Sequence, residues 1–131
     1  MEELILTAIK AMNNAYSPYS NFKVGAAVLT ECGKMFTGCN IENASYPATI
    51  CAERVAMTKA VSEGYTNLVK IAIVCSNGDY AYPCGVCRQV MSELMPDGEV
   101  LVYSSNENKV KQYKVSELLP YAFDKNNLEE K

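Results

Sequence analysis

The sequence predicts an α/β protein in which helices pack on one sheet of about five strands. Apolar runs of strand length alternate along the chain with segments whose apolar residues recur at helical spacing, and turn signals separate them. This alternation also predicts that part of the sheet is parallel. The 131 residues contain no internal repeat, low-complexity tract or linker, so we expect a single domain spanning 1–131.

The first part of the chain predicts a helix followed by a β-hairpin. Between Glu2 and Ala15 one helical face is apolar, and Pro18 ends the helix because it disfavours helical geometry in the residue before it. The segment FKVGAAVLT (22–30) is strand-like, ECGK is a turn, and MFTGCNIE (35–42) returns as a second strand. The loop NASYPAT follows.

The rest of the chain predicts three further strands and three helices. A helix from Ile50 to Glu63 has Thr49 as its N-cap and Gly64 just after its end. The apolar strand NLVKIAIVC precedes a helix over VCRQVMSELM; the strands EVLVYS and KVKQYKV and a short helix at SELLP follow. We expect the polar tail after Asp124 to be frayed.

Composition and charge exclude several classes of function. The hydrophobic fraction of 49% and the charged fraction of 21% are ordinary for a soluble globular protein. A net charge of −3 without any basic run argues against binding to a nucleic acid backbone. The start, MEELILTAIK, lacks the features of a signal peptide, and no apolar run reaches the ~20 residues that span a bilayer. We therefore expect a cytoplasmic protein with no membrane partner.

The cysteines are the most informative residues. There are six, with no histidine, so a metal site would have to consist of cysteines and carboxylates. The spacing of Cys84 and Cys87 lets both sulfurs face one metal, although such a pair also occurs in redox sites or as two buried small residues. Cys51 could add a third ligand, which leaves the fourth position to water as in hydrolytic zinc sites. A closed four-cysteine site stays open as the alternative, with its last ligand drawn from Cys32, Cys39 and Cys75.

Glu53 lies two residues after Cys51 at the start of a predicted helix. Both side chains can border a crevice there, where a carboxylate could move a proton between an activated water and a leaving group. Glu53 could also simply complement the helix dipole. The two arginines follow the cysteine motifs: we expect Arg54 to hydrogen-bond a thiolate sulfur, whereas Arg88 could help offset the site's charge or be a solvated surface residue.

The pattern CxE followed by PCxxC resembles the three-cysteine form of the zinc-dependent nucleoside and nucleobase deaminases. Over nearly its whole length the chain is similar to the small cytidine deaminases that act on free nucleosides. Five segments carry the resemblance, in the family order: SPYSNFKVGAAV, FTGCNIENASYP, CAERVA, PCGVCRQV and LLPYAF. The resemblance implies a three-layer α/β/α sandwich with a mixed sheet. It also implies hydrolysis of cytidine and 2′-deoxycytidine to the uridine nucleosides and ammonia, in pyrimidine salvage.

The resemblance assigns a role to each site residue. Cys51, Cys84 and Cys87 would bind one Zn²⁺ per subunit, which activates a water to attack C4 of the cytosine ring. Glu53 would protonate N3 and help to expel ammonia. The implied nucleoside pocket consists of Phe22 against the base, Asn40 and Glu42 at the ribose 3′-hydroxyl, and the backbone N–H of Ala52 at the ring carbonyl.

Small members of this family are similar to one another in forming homotetramers with shared active sites. On that pattern Ala44 and Tyr46 would reach a neighbour's pocket near the ribose 5′ end, and Phe123 would close over the base in another subunit. The chain departs from the family at Tyr82, because a small hydroxyl residue often precedes PCxxC. A Tyr82 side chain directed into the pocket would change the size of substrate that fits.

Other functions stay open on the sequence alone. A deaminase of a cytosine-containing nucleoside antibiotic would share the zinc motifs, although NIENASY and LLPYAF favour ordinary nucleosides. Polynucleotide editing conflicts with the charge of −3 and the lack of a basic channel. A non-catalytic zinc-binding or redox module would need a fourth ligand, or a cysteine pair that cycles between dithiol and disulfide. The sequence does not set a preference between ribose and deoxyribose.

Overall fold

The computed structural model describes residues 2–128 and contains a mixed sheet of five strands. The strands are β1 (Val24–Thr30), β2 (Met35–Cys39), β3 (Leu68–Cys75), β4 (Glu99–Ser104) and β5 (Lys109–Lys114). Their order in the sheet is β2-β1-β3-β4-β5. The pair β3–β4 is parallel and the other neighbours are antiparallel. The prediction of an α/β fold with a mixed sheet of about five strands is confirmed.

Helices cover both faces of the sheet and give three layers. They are α1 (Glu3–Met12), α2 (Ala52–Ser62), α3 (Gly85–Leu94), α4 (Val115–Leu118) and α5 (Lys125–Leu128), with a 3₁₀ turn at Tyr46–Ala48. Leu4 and Ile5 of α1 pack with Leu101 in one core cluster. Met57 of α2 and Met91 of α3 belong to the cluster on the other face. Within residues 2–128 no helix combines the length and the apolar character needed to cross a bilayer.

Two glycines allow the helices to approach the sheet closely. At Gly25 in β1 an added Cβ would lie 2.6 Å from the backbone nitrogen of Met12 in α1. At Gly38 in β2 it would lie 2.5 Å from the backbone nitrogen of Ala56 in α2. A residue larger than glycine at either position would clash with the helix unless a backbone moved. Gly38 therefore fixes how close the first turns of α2 come to the sheet.

The elements that carry the predicted site residues meet at one end of the strands β1, β2 and β3. Val24 at the start of β1 pairs with Cys75 at the end of β3. Gly25 pairs with Cys39 at the end of β2. The carboxyl ends of β2 and β3 thus lie beside the amino end of β1. Ligands of open α/β sheets commonly bind beyond the carboxyl ends of the strands.

The start of α2 differs from the prediction. The helix begins at Ala52 rather than Ile50, and its N-cap is not Thr49. Ile50 is extended because its N–H and C=O both pair with the backbone of Ile41, at 3.0 Å each. The Thr49 hydroxyl instead accepts a hydrogen bond from the backbone N–H of Asn43 at 3.1 Å. Because α2 begins two residues later than predicted, Cys51 is its N-cap.

The end of the chain also differs from the prediction. The tail after Asp124 was expected to be frayed, but residues 125–128 form the short helix α5, and residues 129–131 lie outside the described part of the chain. Asp124 precedes it, and its carboxylate accepts a hydrogen bond from the backbone N–H of Asn126 at 2.9 Å. Local side-chain bonds of this kind order a polar turn that apolar periodicity does not reveal.

Candidate active site

Three cysteine sulfurs meet where α2 and α3 begin. Cys51 is the N-cap of α2, Cys84 is the N-cap of α3, and Cys87 lies in the first turn of α3. The Sγ atoms of Cys51 and Cys84 are 3.7 Å apart, and all three sulfurs lie within 4.8 Å of one another. Tetrahedral Zn–S bonds of ~2.3 Å place two sulfurs about 3.8 Å apart, so the cluster has the dimensions of a zinc centre.

The other cysteines lie outside this cluster. Cys32 is exposed in the β1–β2 turn, beside the Thr30 hydroxyl. The buried Cys75 thiol donates to the Asn77 side chain, and Cys39 ends β2. Within the part of the chain that the structure describes, the one group of three or more potential ligands contains no fourth cysteine. Zinc bound by these three cysteines would keep a fourth position for water.

A guanidinium offsets the negative charge of the sulfurs. Nη2 of Arg54 donates to the Sγ of Cys51 at 3.5 Å. Hydrogen bonds from the Cys87 thiol and from Arg54 lower the pKa of Cys51 to about 5, despite its partial burial. The pKa of Cys87 is raised, because its thiol donates the bond to Cys51 and because it is buried. The positive ends of two helix dipoles at the same place also favour thiolates.

Glu53 is the buried carboxylate of the site. It lies in the first turn of α2 and is 4% exposed. Burial raises its pKa to about 7, and the negative charge of Cys51 acts in the same direction. A carboxyl group with such a pKa accepts and returns protons near neutral pH, which is what general acid–base catalysis requires.

A cavity of about 410 Å³ opens in front of these groups. Its walls comprise Phe22, Val24, Asn40, Thr49, Ile50, Cys51, Ala52, Glu53, Ile73, Ala81, Tyr82 and Cys84. The volume is within the range of small-molecule sites, and the lining is mostly apolar with a few polar groups, as such sites commonly are. The structure thus brings Phe22, Asn40 and Ala52 into one cavity with Glu53 and two of the cysteines, Cys51 and Cys84.

Asn40 holds the start of β1 in place. It is 8% exposed, and its Oδ1 accepts from the backbone N–H of Val24 at 2.8 Å. Its Nδ2 donates to the carbonyl of Phe22 at 2.8 Å. One side chain therefore satisfies two backbone groups beside the Phe22 ring, in addition to facing the cavity.

Glu42 lies in a neighbouring cavity, also of about 410 Å³, lined by Tyr19, Ser20, Glu42, Asn43, Tyr46 and Thr49. Its carboxylate accepts hydrogen bonds from the backbone N–H groups of Tyr19 and Ser20, at 2.9 and 3.1 Å, and from the Ser20 hydroxyl. These bonds lower the pKa of Glu42. Thr49 lines both cavities, so the two are adjacent. Thr49 and Ser20 line these cavities although neither was a predicted site residue, and the hydroxyl-rich segment SPYS was a signal for Ser20.

The residues predicted to serve a neighbouring subunit are exposed. Tyr46 is 72% exposed and packs edge-on against Tyr19, and Ala44 is also exposed. Phe123 is 58% exposed, and its carbonyl accepts a hydrogen bond from Nε2 of Gln89 at 2.8 Å. Neither Ala44 nor Phe123 lines either cavity within the described chain.

The sequence left two further residues open. Arg88, expected to offset the site's charge or to be a solvated surface residue, is half-buried and binds two backbone carbonyls. Its Nε donates to the Pro83 carbonyl at 2.7 Å and its Nη1 to the Leu118 carbonyl at 2.9 Å. The Tyr82 hydroxyl is 3.2 Å from the Tyr113 hydroxyl on β5.

The fold and the site together define the class: an α/β zinc hydrolase in which two cysteines of the three-cysteine cluster line a cavity together with a buried carboxylate. Comparisons with known proteins identify the family. Residues 1–104 match the family described as the cytidine and deoxycytidylate deaminase zinc-binding region. The chain belongs to the cytidine deaminase family.

Relatives and solved structures agree over most of the chain. A cytidine deaminase from Halalkalibacterium halodurans is 51% identical over 121 residues, covering 92% of this chain and 91% of the relative. One from Sporosarcina psychrophila is 45% identical over 129 residues, covering 98% and 94%. The crystal structure of a cytidine deaminase from Burkholderia pseudomallei superposes with a TM-score of 0.87 at 47% identity, covering 92% of this chain and 97% of that chain.

Proposed function

We propose that the chain hydrolyses cytidine and 2′-deoxycytidine to uridine and 2′-deoxyuridine with release of ammonia, as a step of pyrimidine salvage. The observation that carries the proposal is the position of Glu53, buried in the wall of the same cavity as Cys51 and Cys84. The relatives named above are cytidine deaminases by name, which supports the choice of substrate. The net charge of −3 favours a free nucleoside over a polynucleotide.

The reaction exchanges the exocyclic amine of cytosine for the oxygen of water. Zinc held by Cys51, Cys84 and Cys87 would supply Lewis-acid activation of a water molecule at neutral pH. Glu53 would take one proton from that water and deliver it to ring N3 as the oxygen bonds to C4. It would then pass the second proton to the amine, which leaves as ammonia while the C4 carbonyl forms. A carboxyl pKa of about 7 suits both transfers.

The cavity residues would hold the substrate for this chemistry. Phe22 would pack against the base, and the N–H of Ala52, an amide in the first turn of α2, would bind the ring carbonyl. Asn40 and Glu42, in adjacent cavities, would bind the ribose 3′-hydroxyl. Their existing hydrogen bonds to backbone fix the two side chains before any substrate binds.

The proposal extends to assembly and location. We propose that residues 1–131 act as a single domain, in the cytoplasm, within a homotetramer. In that assembly Ala44 and Tyr46 would reach the ribose 5′ end in a neighbour's site, and Phe123 would cover the base in another. The exposure of Tyr46 and Phe123 supports this part of the proposal.

Ammonia release from purified, zinc-loaded protein tests the proposal. Cytidine and 2′-deoxycytidine are the substrates, and adenosine is the control for a contaminating deaminase. Release from both cytosine nucleosides is expected, together with an equal amount of the uridine product. Folded, zinc-loaded protein that releases no ammonia from either would contradict the proposed function.

A further inference from the structure

Tyr82 lies in the wall of the catalytic cavity, but its hydroxyl is directed elsewhere. The residues that line this cavity in the described chain include Tyr82 and not Tyr113. The Tyr82 hydroxyl nevertheless lies 3.2 Å from the hydroxyl of Tyr113. The two rings pack edge to face, with centroids 5.8 Å apart and an interplanar angle of 62°. The side chain is thus held at the cavity rim, against strand β5.

The backbone that follows Tyr82 is anchored. Pro83 follows it, and its side chain is fully buried. The Pro83 carbonyl is held by Nε of Arg88 at 2.7 Å. A residue before proline is restricted to extended geometry, so the freedom left to Tyr82 is rotation of its side chain. Tyr82 and Cys84 line the same cavity, so the position of the Tyr82 ring bears on the space in front of Cys84.

A second tyrosine, Tyr80, packs against the Tyr82 ring without contributing to the contact with Tyr113. Tyr80 packs against the Tyr82 ring with centroids 6.4 Å apart, and its own hydroxyl donates to Glu107 at 3.1 Å. Nζ of Lys111 lies 4.3 Å from the centroid of the Tyr80 ring. Tyr113 lies on β5, where it pairs with Val100 of β4.

We propose that Tyr113 is a positioning residue that holds the Tyr82 ring out of the cavity, and that this pair sets the space available to the cytosine base. The inference rests on the proposed function. An unrestrained ring at position 82 competes with the nucleoside for the cavity, so the hydrogen bond acts on binding and not on the chemical step. A small residue at position 82 would need no side chain on β5 to hold it in place.

Four variants test the inference: Tyr113→Phe, Tyr82→Phe, Tyr82→Ser, and Tyr82→Ser combined with Tyr113→Phe. Each is assayed for KM and kcat with cytidine, and for the Kd of uridine by calorimetry. Tyr113→Phe and Tyr82→Phe are expected to raise KM and the uridine Kd equally, by up to about fivefold, with kcat unchanged. Adding Tyr113→Phe to Tyr82→Ser is expected to change neither constant. Tyr80→Phe, which loses the hydroxyl of a neighbouring tyrosine outside the cavity, is the control and should match wild type.

Two results would overturn the inference. One is a Tyr113→Phe variant with the KM and uridine Kd of wild type; the other is an effect of Tyr113→Phe that persists when Tyr82 is already Ser. Nuclear Overhauser contacts decide the ring position without any turnover: contacts between Tyr82 and Phe22 should appear in Tyr113→Phe and not in wild type. Wild-type protein that releases no ammonia would refute the proposed function alone, and the ring contacts would still confirm or refute the role of Tyr113.

Discussion

The sulfurs of Cys51 and Cys84 are 3.7 Å apart, although 33 positions separate the two residues in the chain. Each is the N-cap of a different helix, so neither α2 nor α3 forms the centre alone. The sheet brings the two helix starts together, and Gly38 lets α2 lie close enough for the sulfurs to meet. Metal binding and correct packing of the two helices should therefore depend on each other.

Replacing Cys84 with Ala should abolish stoichiometric zinc binding and lower stability. Zinc that binds only the folded state contributes about 3 kcal/mol when its concentration is 100 times Kd, and this contribution is lost with the ligand. Elemental analysis and urea unfolding measure the two effects. Cys32→Ala, at an exposed cysteine outside the cluster, is the matched control and should keep its zinc. A Cys84→Ala protein with one zinc per chain would refute the ligand assignment.

Zinc binding to the metal-free protein at pH 7 should release fewer than three protons per ion. The pKa of Cys51 is lowered from 9.0 to about 5, so this thiol is already ionised at pH 7 and has no proton to lose. Arg54→Gln removes one of the donors to Cys51, which raises this pKa and increases the number of protons released. Calorimetry in buffers of different ionisation enthalpy counts the protons. Arg88→Gln is the control, because Arg88 contacts carbonyls and not sulfur, and it should release as many protons as wild type. An Arg54→Gln protein that releases the same number of protons as wild type would contradict the prediction.

Gly38→Ala should destabilise the fold and disturb the zinc centre together. Its Cβ would overlap the backbone of Ala56, which forces α2 away from β2. Overpacking of this kind costs about 1–3 kcal/mol. Thermal unfolding and zinc affinity are the measurements. Gly85→Ala is the control, because a Cβ at this position at the start of α3 meets open space. A Gly38→Ala protein as stable as this control would show that the close approach of α2 to β2 is unimportant.

Asn40→Ala should weaken both folding and substrate binding. It leaves the Val24 N–H and the Phe22 carbonyl without their side-chain partners. Unpaired buried groups cost about 1–3 kcal/mol each, less where water reaches them. KM for cytidine should rise more than kcat falls, because Phe22 loses its fixed position at the cavity. If stability drops and KM stays at the wild-type value, Asn40 has a structural role only.

The fold was largely predictable because its signals are local. Apolar periodicity placed every strand and the three long helices to within a few residues. The start of α2 was misplaced because Ile50 is held by a backbone pairing with Ile41, a contact between distant residues that sequence periodicity does not report. The short helix α5 was missed because it depends on side-chain bonds at Asp124.

The candidate site was predictable where only a few residue types can perform the chemistry. Without histidine, the cysteine spacing left few ways to build a metal site, and Glu53 followed from its position beside Cys51. The contacts of Arg88 and the direction of the Tyr82 side chain were not predictable. Both depend on partners about 30 residues away, Leu118 and Tyr113, that only the folded chain brings near.

If Glu53 performs the proton transfers of a deaminase, its loss should stop turnover and leave the zinc centre intact. The most direct test measures zinc content and cytidine turnover of Glu53→Gln and wild type in the same preparations. We expect one zinc per chain and wild-type unfolding behaviour in the variant, with turnover reduced at least about 100-fold, the lower range for loss of general acid–base catalysis. A zinc-loaded Glu53→Gln protein that turns over cytidine at close to the wild-type rate would contradict this role of Glu53.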